Sequence, residues 1–188
     1  MLTLMARCAL LMPLLLATPA LAEPDQPRVR LETSEGTIEL ALNARAAPET
    51  VANFLDYVAA DFYEGTVFHR VIDGFMIQGG GMTADLSTRE TRAPVALERS
   101  GLENRRGTIA MARTADPDSA TSQFFINLAD NPALDFQNLH QPGYTVFGEV
   151  VSGMSVVDAI AASPTGRQGP HADVPREPIV IEAVERFE

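Results

Sequence analysis

The chain has 188 residues, of which 46% are hydrophobic, and its formal net charge at pH 7 is −11. This length and composition fit one globular domain with a substantial core. The acidic excess argues against a phosphate-binding surface, because the adjacent basic pair Arg105-Arg106 lies close to Glu103 and the chain has no lysine. We therefore expect no nucleic acid partner.

Residues 1–22 have the pattern of a secretory signal peptide. Arg7 precedes a short apolar run, and Ala20-Leu21-Ala22 matches an Ala-x-Ala cleavage site. A membrane anchor is the alternative, but the run is interrupted by Pro13 and is shorter than the roughly 20 apolar residues that span a bilayer. We expect cleavage after Ala22, a periplasmic location (secreted if the host lacks an outer membrane) and no stable membrane association.

The chain after the signal divides into a short lead and one domain. Residues 23–28 contain two prolines and predict a disordered lead, whereas residues 29–188 predict a single domain. Because Cys8 is the only cysteine, the cleaved chain would contain none, which suits an oxidising compartment.

Secondary structure in the first third is predicted by alternation and then by helical spacing. Residues 29–35 and 37–42 alternate and predict a hairpin. Pro48 and Glu49 suit the first turn of a helix, where a missing N–H costs nothing and a negative charge is favourable. Its predicted apolar face consists of Val51, Phe54, Leu55 and Val58.

A second hairpin is predicted around the turn pair Asp73-Gly74. Alternation places Phe68, Arg70 and Ile72 on one face of its first arm, so a guanidinium lies among large apolar side chains. A surface ion pair is the ordinary explanation for a strand arginine. Here Gly79-Gly80-Gly81 follows the second arm and would let another chain approach closely, which predicts a groove with a cation at its edge.

The remaining elements complete a mainly β fold. Residues 82–106 predict a long irregular loop. Strands are predicted at 108–111, 123–128, 144–151 and 179–187, and a helix at 152–161 with Ser152 as its cap. This inventory predicts a closed eight-stranded antiparallel β-barrel capped by two α-helices.

One predicted strand carries an unusual mixture of side chains. Gln123, Phe125 and Asn127 share one face, and an aromatic ring flanked by two amides suits a dry core poorly, because each buried amide needs partners. The face is predicted to line a wet, concave surface.

Three segments resemble the signature of the cyclophilins, a family of peptidyl-prolyl cis-trans isomerases. They are Phe68 to Gly80, Gly107 to Arg113 with its continuation from Asp118 to Asn127, and Val146 to Gly148. The resemblance extends from Val29 to the end of the chain and is closest to exported bacterial members. It implies the same barrel, no cofactor, and proline-containing unfolded or partly folded polypeptides as substrates of a monomeric enzyme.

The resemblance also implies a set of site residues. The proline pocket would consist of Phe75, Met76, Phe125, Leu134 and Tyr144. The peptide backbone would be held by Gln78, Ala112, Arg113 and Gln123. The catalytic residue would be Arg70, a permanently charged donor to the proline nitrogen, which regains its lone pair in the twisted transition state. Many cyclophilins carry Trp or Phe where this chain has Ala133, which leaves cyclosporin binding open.

Other readings of the same residues carry less weight. A proline-peptide-binding chaperone module with little catalysis would use the same groove. A hydrolase built on Ser119, Ser122 and Asp135 lacks a nucleophile elbow. Alternation turns His69 away from the face of Arg70, which predicts a structural histidine, and the three histidines show no metal-ligand spacing.

Overall fold

A computed structural model describes residues 26–187. The predicted signal peptide and residues 23–25 of the predicted lead lie outside the described residues. The first strand begins at Arg28, and the carbonyl oxygen of Pro27 accepts a hydrogen bond of 2.9 Å from the N–H of Leu42. Arg28, the last residue of the predicted lead, is thus the first residue of a strand, and Pro27 is hydrogen-bonded to the neighbouring chain at Leu42.

The elements within residues 26–187 are ten strands, two α-helices and one short 3-10 helix. The strands are β1 (Arg28–Thr33), β2 (Gly36–Leu42), β3 (Arg70–Ile72), β4 (Met76–Gly79), β5 (Thr108–Met111), β6 (Phe124–Asn127), β7 (Val146–Ser152), β8 (Thr165–Gln168), β9 (His171–Pro175) and β10 (Ile181–Phe187). The helices are α1 (Pro48–Ala59), α2 (Met154–Ala161) and the 3-10 helix Pro132–Leu134.

Eight of these strands form one antiparallel sheet in the order β10-β1-β2-β7-β5-β6-β4-β3. The sheet and the two helices confirm the predicted fold class. The two edge strands of this sheet, β3 and β10, are not joined to each other by a continuous ladder of hydrogen bonds. Instead, one isolated bridge pairs Val67 with Val180, and the N–H of Phe68 donates to the carbonyl of Ile179 at 3.0 Å. The sheet is therefore a half-barrel, and "closed" describes it too strongly.

The main core lies between the inward face of this sheet and α1. Strand alternation buries Val29 and Leu31 of β1 completely. From α1, the ring of Phe54 packs against Phe124 and Phe147 with centroid distances of 5.8 and 5.3 Å. These aromatic contacts fix α1 to two strands of the barrel, β6 and β7, and thereby stiffen the sheet that carries the site.

The second helix begins one residue later than the sequence predicts. Ser152 is the last residue of β7, and Gly153 takes the N-cap position of α2 with φ +84°. A side chain at position 153 would collide with the carbonyl oxygen of Thr37. The chain turns from strand to helix too tightly for a serine cap, and only glycine fits the turn.

The sequence did not predict the small two-stranded sheet β8-β9. Its strands carry mostly polar residues, which hide any alternation of apolar side chains. The turn between them, Gly169-Pro170, was the available signal, because this dipeptide marks a chain reversal and Gly169 has φ +57°. The hairpin lies against β3, where the cationic residue of the predicted site is located.

The predicted long loop, residues 82–106, is tied to the domain along its length. The Arg89 guanidinium donates to the carbonyl of Phe62 at 2.6 Å, and the N–H of Arg92 donates to the hydroxyl of Tyr57 at 2.9 Å. The loop is irregular, as predicted, and these hydrogen bonds hold it against α1 and the segment that follows it.

Candidate active site

A row of side chains crosses the sheet from β3 to β7. The strand register pairs Arg70 with Gln78, Gln78 with Phe125, Phe125 with Ala110, and Ala110 with Val146. Residues directly opposite one another in adjacent antiparallel strands project from the same face. The row therefore presents a cation at the sheet edge, an amide beside it and an apolar surface beyond.

The apolar part of this row forms a second core cluster, separate from the main one. Met76 and Phe125 are only 3% and 4% exposed. The cluster consists of Met76, Ala110, Phe125 and Val146, with Ile72, Phe75, Ala112, Leu134 and Tyr144 packed against it. It is the floor of an open cleft and offers a ring-sized apolar surface.

The cleft has a volume of about 470 Å³ and brings together all ten residues named from the sequence. They are Arg70, Phe75, Met76, Gln78, Ala112, Arg113, Gln123, Phe125, Leu134 and Tyr144. Six further residues line it: His69, Met82, Pro170, His171, Ala172 and Asp173.

Arg70 lies at the rim of the cleft with its side chain 44% exposed. Its Nε is 4.0 Å from Oδ2 of Asp173 on β9. The prediction that Phe68 shares its face is wrong: Phe68 is 1% exposed and belongs to the main core. Alternation fails there because β3 begins only at Arg70, and the two preceding residues follow an irregular path.

An amide pair lies next to Arg70. Nε2 of Gln78 donates to Oε1 of Gln123 at 2.9 Å. A Cβ added at Gly81 would collide with the side chain of Gln123, and one added at Gly80 would come within 2.7 Å of Phe124. These glycines were predicted to admit another chain. Instead, Gly80 and Gly81 leave room for side chains of the protein itself, namely Phe124 and Gln123.

Across the cleft from Arg70, the wall is the ring of Tyr144, which contacts the side chain of Arg113. The ring of Tyr144 meets that of Phe125 edge to face, with centroids 5.5 Å apart. The Arg113 guanidinium stacks 4.6 Å from the centre of the Tyr144 ring, and its Nε and Nη2 donate to the carbonyl of Gly143 at 3.0 and 2.7 Å. Arg113 therefore braces this wall.

The comparisons with known proteins agree with this geometry. Residues 28–186 match the family model of the cyclophilin type peptidyl-prolyl cis-trans isomerases. The chain belongs to this family. This cyclophilin is a peptidyl-prolyl cis-trans isomerase, as the sequence resemblance predicted.

Bacterial relatives cover most of the chain. Peptidyl-prolyl cis-trans isomerase A of Dickeya dadantii is 53% identical over 167 residues, which are 88% of this chain and 87% of the relative. Peptidyl-prolyl cis-trans isomerase B of Escherichia coli is 52% identical over 159 residues, 83% of this chain and 97% of the relative.

Solved structures show the same fold. A cyclophilin type isomerase of Cryptosporidium parvum has a TM-score of 0.72 at 26% identity, and the match covers 87% of this chain and 98% of that one. A second structure of that protein, determined in the presence of the dipeptide Ala-Pro, has a TM-score of 0.71 and covers 86% of this chain and 99% of that one.

His69 of this cyclophilin lines the same cleft as Arg70, although alternation predicted that it turns away from the face of Arg70. It is 6% exposed, and its Nδ1 has no hydrogen-bond partner. Burial disfavours the imidazolium and lowers the pKa of His69 from 6.5 to about 4. The side chain is therefore neutral at physiological pH and adds no second cation beside Arg70.

Asn127 does not line the cleft of this cyclophilin, contrary to prediction. It is fully buried, and its amide donates to Oδ1 of Asn104 at 3.2 Å and to the hydroxyl of Thr108 at 2.9 Å. Asn131 donates to Oδ1 of Asn127 at 2.8 Å and to the carbonyl of Phe75 at 3.0 Å. The amide that sequence reasoning placed in water instead belongs to a buried network that fixes the wall carrying Phe75.

The described part of this cyclophilin does not assemble the hydrolase residues. The hydroxyl of Ser119 donates to the carbonyl of Asp116 at 2.7 Å, Ser122 is fully buried, and Asp135 accepts from the N–H of Asn104 at 2.7 Å.

Among residues 26–187, no three His, Cys, Asp or Glu side chains are grouped so that they could hold a metal ion. No helix in that range is long and apolar enough to cross a membrane.

Proposed function

We propose that this cyclophilin isomerises Xaa-Pro bonds in its cleft with Arg70 as the catalytic residue. The observation that carries the proposal is the cross-strand row, which sets the guanidinium of Arg70 beside the Gln78 amide and next to the apolar floor at Phe125. The groups of a prolyl peptide match this row: the proline ring needs an apolar surface, and the carbonyl and N–H groups on either side of it need hydrogen-bond partners.

The reaction requires stabilisation of a twisted amide and no nucleophile. Amide resonance opposes rotation by about 18–20 kcal/mol. In the half-rotated state the proline nitrogen is pyramidal and basic, so a donor directed at it binds this state better than either planar isomer. Arg70 keeps its charge at all relevant pH values, and its fork can also hold the substrate carbonyl. One charge-assisted hydrogen bond of this kind contributes roughly 3 kcal/mol, or on the order of a hundredfold in rate.

The remaining cleft residues would bind and orient the peptide. Phe75, Met76, Phe125, Leu134 and Tyr144 would enclose the proline ring, and Gln78, Ala112, Arg113 and Gln123 would contact the backbone on either side. The apolar floor supports this assignment, because the second core cluster leaves part of its surface facing the cleft.

We further propose that residues 1–22 direct export of the protein and are then removed, and that the mature monomer assists the folding of periplasmic or secreted proteins. The signal-like start and the lack of cysteine after Cys8 support export. We expect neither a cofactor, nor a nucleic acid partner, nor stable attachment to a membrane.

The test is isomerisation of a short Xaa-Pro peptide by the wild type, Arg70→Ala and Arg70→Lys. We expect Arg70→Ala to lose turnover by roughly a hundredfold while its folding and peptide affinity remain. Arg45→Ala, at an exposed arginine between β2 and α1, is the matched control and should be fully active.

Two outcomes would contradict parts of the proposal. Full activity of Arg70→Ala would refute the catalytic assignment. Peptide binding without turnover in the wild type would favour the alternative, a proline-peptide-binding chaperone. Export is tested separately, by detecting a processed chain that begins after Ala22 in a periplasmic extract.

A further inference from the structure

Of the acidic residues that the structure describes, Asp173 is the closest to the proposed catalytic cation, and it reaches that position through an irregularity in β9. The register of the small sheet pairs Gly166 with Val174 and Gln168 with His171. One residue of β8, Arg167, therefore lies opposite two residues of β9, Ala172 and Asp173. This two-against-one arrangement is a β-bulge, a device that redirects a side chain within a strand.

The backbone of Asp173 is also unusual. Its φ is +60°, in the left-handed region that costs an L-residue free energy and that glycine adopts readily. Strain of this kind persists where the surrounding structure enforces it, and it is concentrated at functional sites. A carboxylate occupies a position that the backbone alone would give to glycine.

The side chain faces the cleft. Oδ2 of Asp173 is 4.0 Å from Nε of Arg70, and both side chains are 44% exposed. Within residues 26–187, Asp173 is the only acidic residue that forms an ion pair with the Arg70 side chain. At 4.0 Å the interaction is electrostatic attraction and not a direct hydrogen bond.

We propose that Asp173 is a positioning residue that orients the guanidinium of Arg70 for isomerisation, an inference that rests on the proposed role of Arg70. A guanidinium is a planar fork with one donor on Nε and four on its terminal nitrogens. Attraction at the Nε side biases the orientation of the plane and leaves the terminal donors available for the proline nitrogen and the substrate carbonyl. The bulge and the left-handed residue hold the carboxylate at that side.

The exposure of the pair limits the size of the effect. Ion pairs with solvent-exposed side chains are weak, so the expected contribution to turnover is roughly two- to fivefold. It should shrink in about 1 M salt, where the screening length is only about 3 Å.

Asp173→Asn and Asp173→Gly test the inference. Asparagine keeps the shape and tolerates positive φ, and glycine relieves the strain, so both should fold at least as stably as the wild type. We expect kcat for a short Xaa-Pro peptide to fall roughly two- to fivefold in both, with KM unchanged. The matched controls are Asp61→Asn and Asp61→Gly, since Asp61 is also an aspartate with positive φ (+51°) but lies exposed outside the cleft.

A double-mutant comparison separates this inference from the proposed function. In the Arg70→Ala background, Asp173→Asn should cause no further loss of kcat, because the group that it orients is gone. Unchanged or higher kcat in the Asp173 variants, a change confined to KM, or an equal loss without Arg70 would each overturn the inference. If Arg70→Ala is itself fully active, the proposed catalytic role fails first, and the two failures are thus distinguishable.

Discussion

The carboxylate of Glu98 caps helix α1 through Thr50, accepting hydrogen bonds from its backbone N–H at 2.7 Å and from its hydroxyl at 2.5 Å. It also accepts from the N–H of Glu49 at 3.0 Å. The N-cap residue itself, Ala47, makes no side-chain cap. A residue 48 positions later in the chain therefore satisfies the start of this helix and attaches the long loop to it.

Glu98→Gln should lower the stability of the domain by about 1 kcal/mol, because the cap loses its charge and one of its two oxygen acceptors. Urea unfolding measures the change. Glu90→Gln, at an exposed glutamate of the same loop, is the control and should leave the midpoint unchanged. Activity should be retained in both, and a loss of activity with unchanged stability in Glu98→Gln would contradict a purely structural cap.

Gly81→Ala should reduce kcat/KM roughly tenfold, because small displacements of positioning groups are costly in enzymes. The added Cβ occupies the space of the Gln123 side chain, which must swing away and break its hydrogen bond with Gln78. The loss of stability should be small, since the obstructing group is a flexible side chain. Gln123→Ala should reduce kcat/KM by a similar factor. Gly166→Ala is the control and should leave kcat/KM unchanged, because the added Cβ would lie 3.9 Å from its nearest contact, Nε of Arg176.

Arg113→Lys should raise KM about threefold with little change in kcat. Lysine keeps the charge but cannot make both hydrogen bonds to Gly143 while stacking on Tyr144, so the pocket wall loosens. Steady-state kinetics with a prolyl peptide measures the split, and Arg45→Lys is the control. A fall in kcat at constant KM would instead place Arg113 in the catalytic step.

His69 should make the domain less stable in mild acid. In the unfolded chain its imidazole takes up a proton near pH 6.5, but in the folded protein burial delays this until about pH 4. As pH falls from 6.5 towards 4, the unfolded state binds the proton first, so stability is lost across that window, on the order of 3 kcal/mol in total.

Comparing urea unfolding of the wild type and His69→Gln between pH 7 and pH 4 tests this. The variant should lose less stability over the interval, and His140→Gln, at an exposed histidine, should follow the wild-type slope. Parallel curves for the wild type and His69→Gln would show that the imidazole is not held neutral by burial.

Sequence patterns were reliable where the chain is regular and local. Alternation predicted the β1-β2 hairpin, and spacing predicted the buried face of α1 at Val51, Phe54 and Val58, because one side of each element must meet the core. All ten predicted site residues line one cleft, and eight of them lie in the family-typical segments Phe68 to Gly80, Gly107 to Arg113 and Asp118 to Asn127.

The errors fall where alternation breaks down or where distant groups meet. Phe68 and His69 precede β3, where the backbone is not a regular strand. Alternation counted backwards from Arg70 therefore placed Phe68 on the cleft side and His69 on the other side, whereas Phe68 lies in the main core and His69 lines the cleft. Asn127 has the polarity of a surface residue, and only the approach of Asn104 and Asn131 makes its burial possible.

The sequence by itself determined the antiparallel sheet with two helices, through periodicity, and ten residues that line one cleft, through resemblance to the motifs of a known family. Only the tertiary structure decided that Asp173 lies beside Arg70 and that Glu98 caps α1. Those pairs are 103 and 48 residues apart along the chain. Contacts over such separations depend on the register and curvature of the whole sheet, which no local pattern specifies.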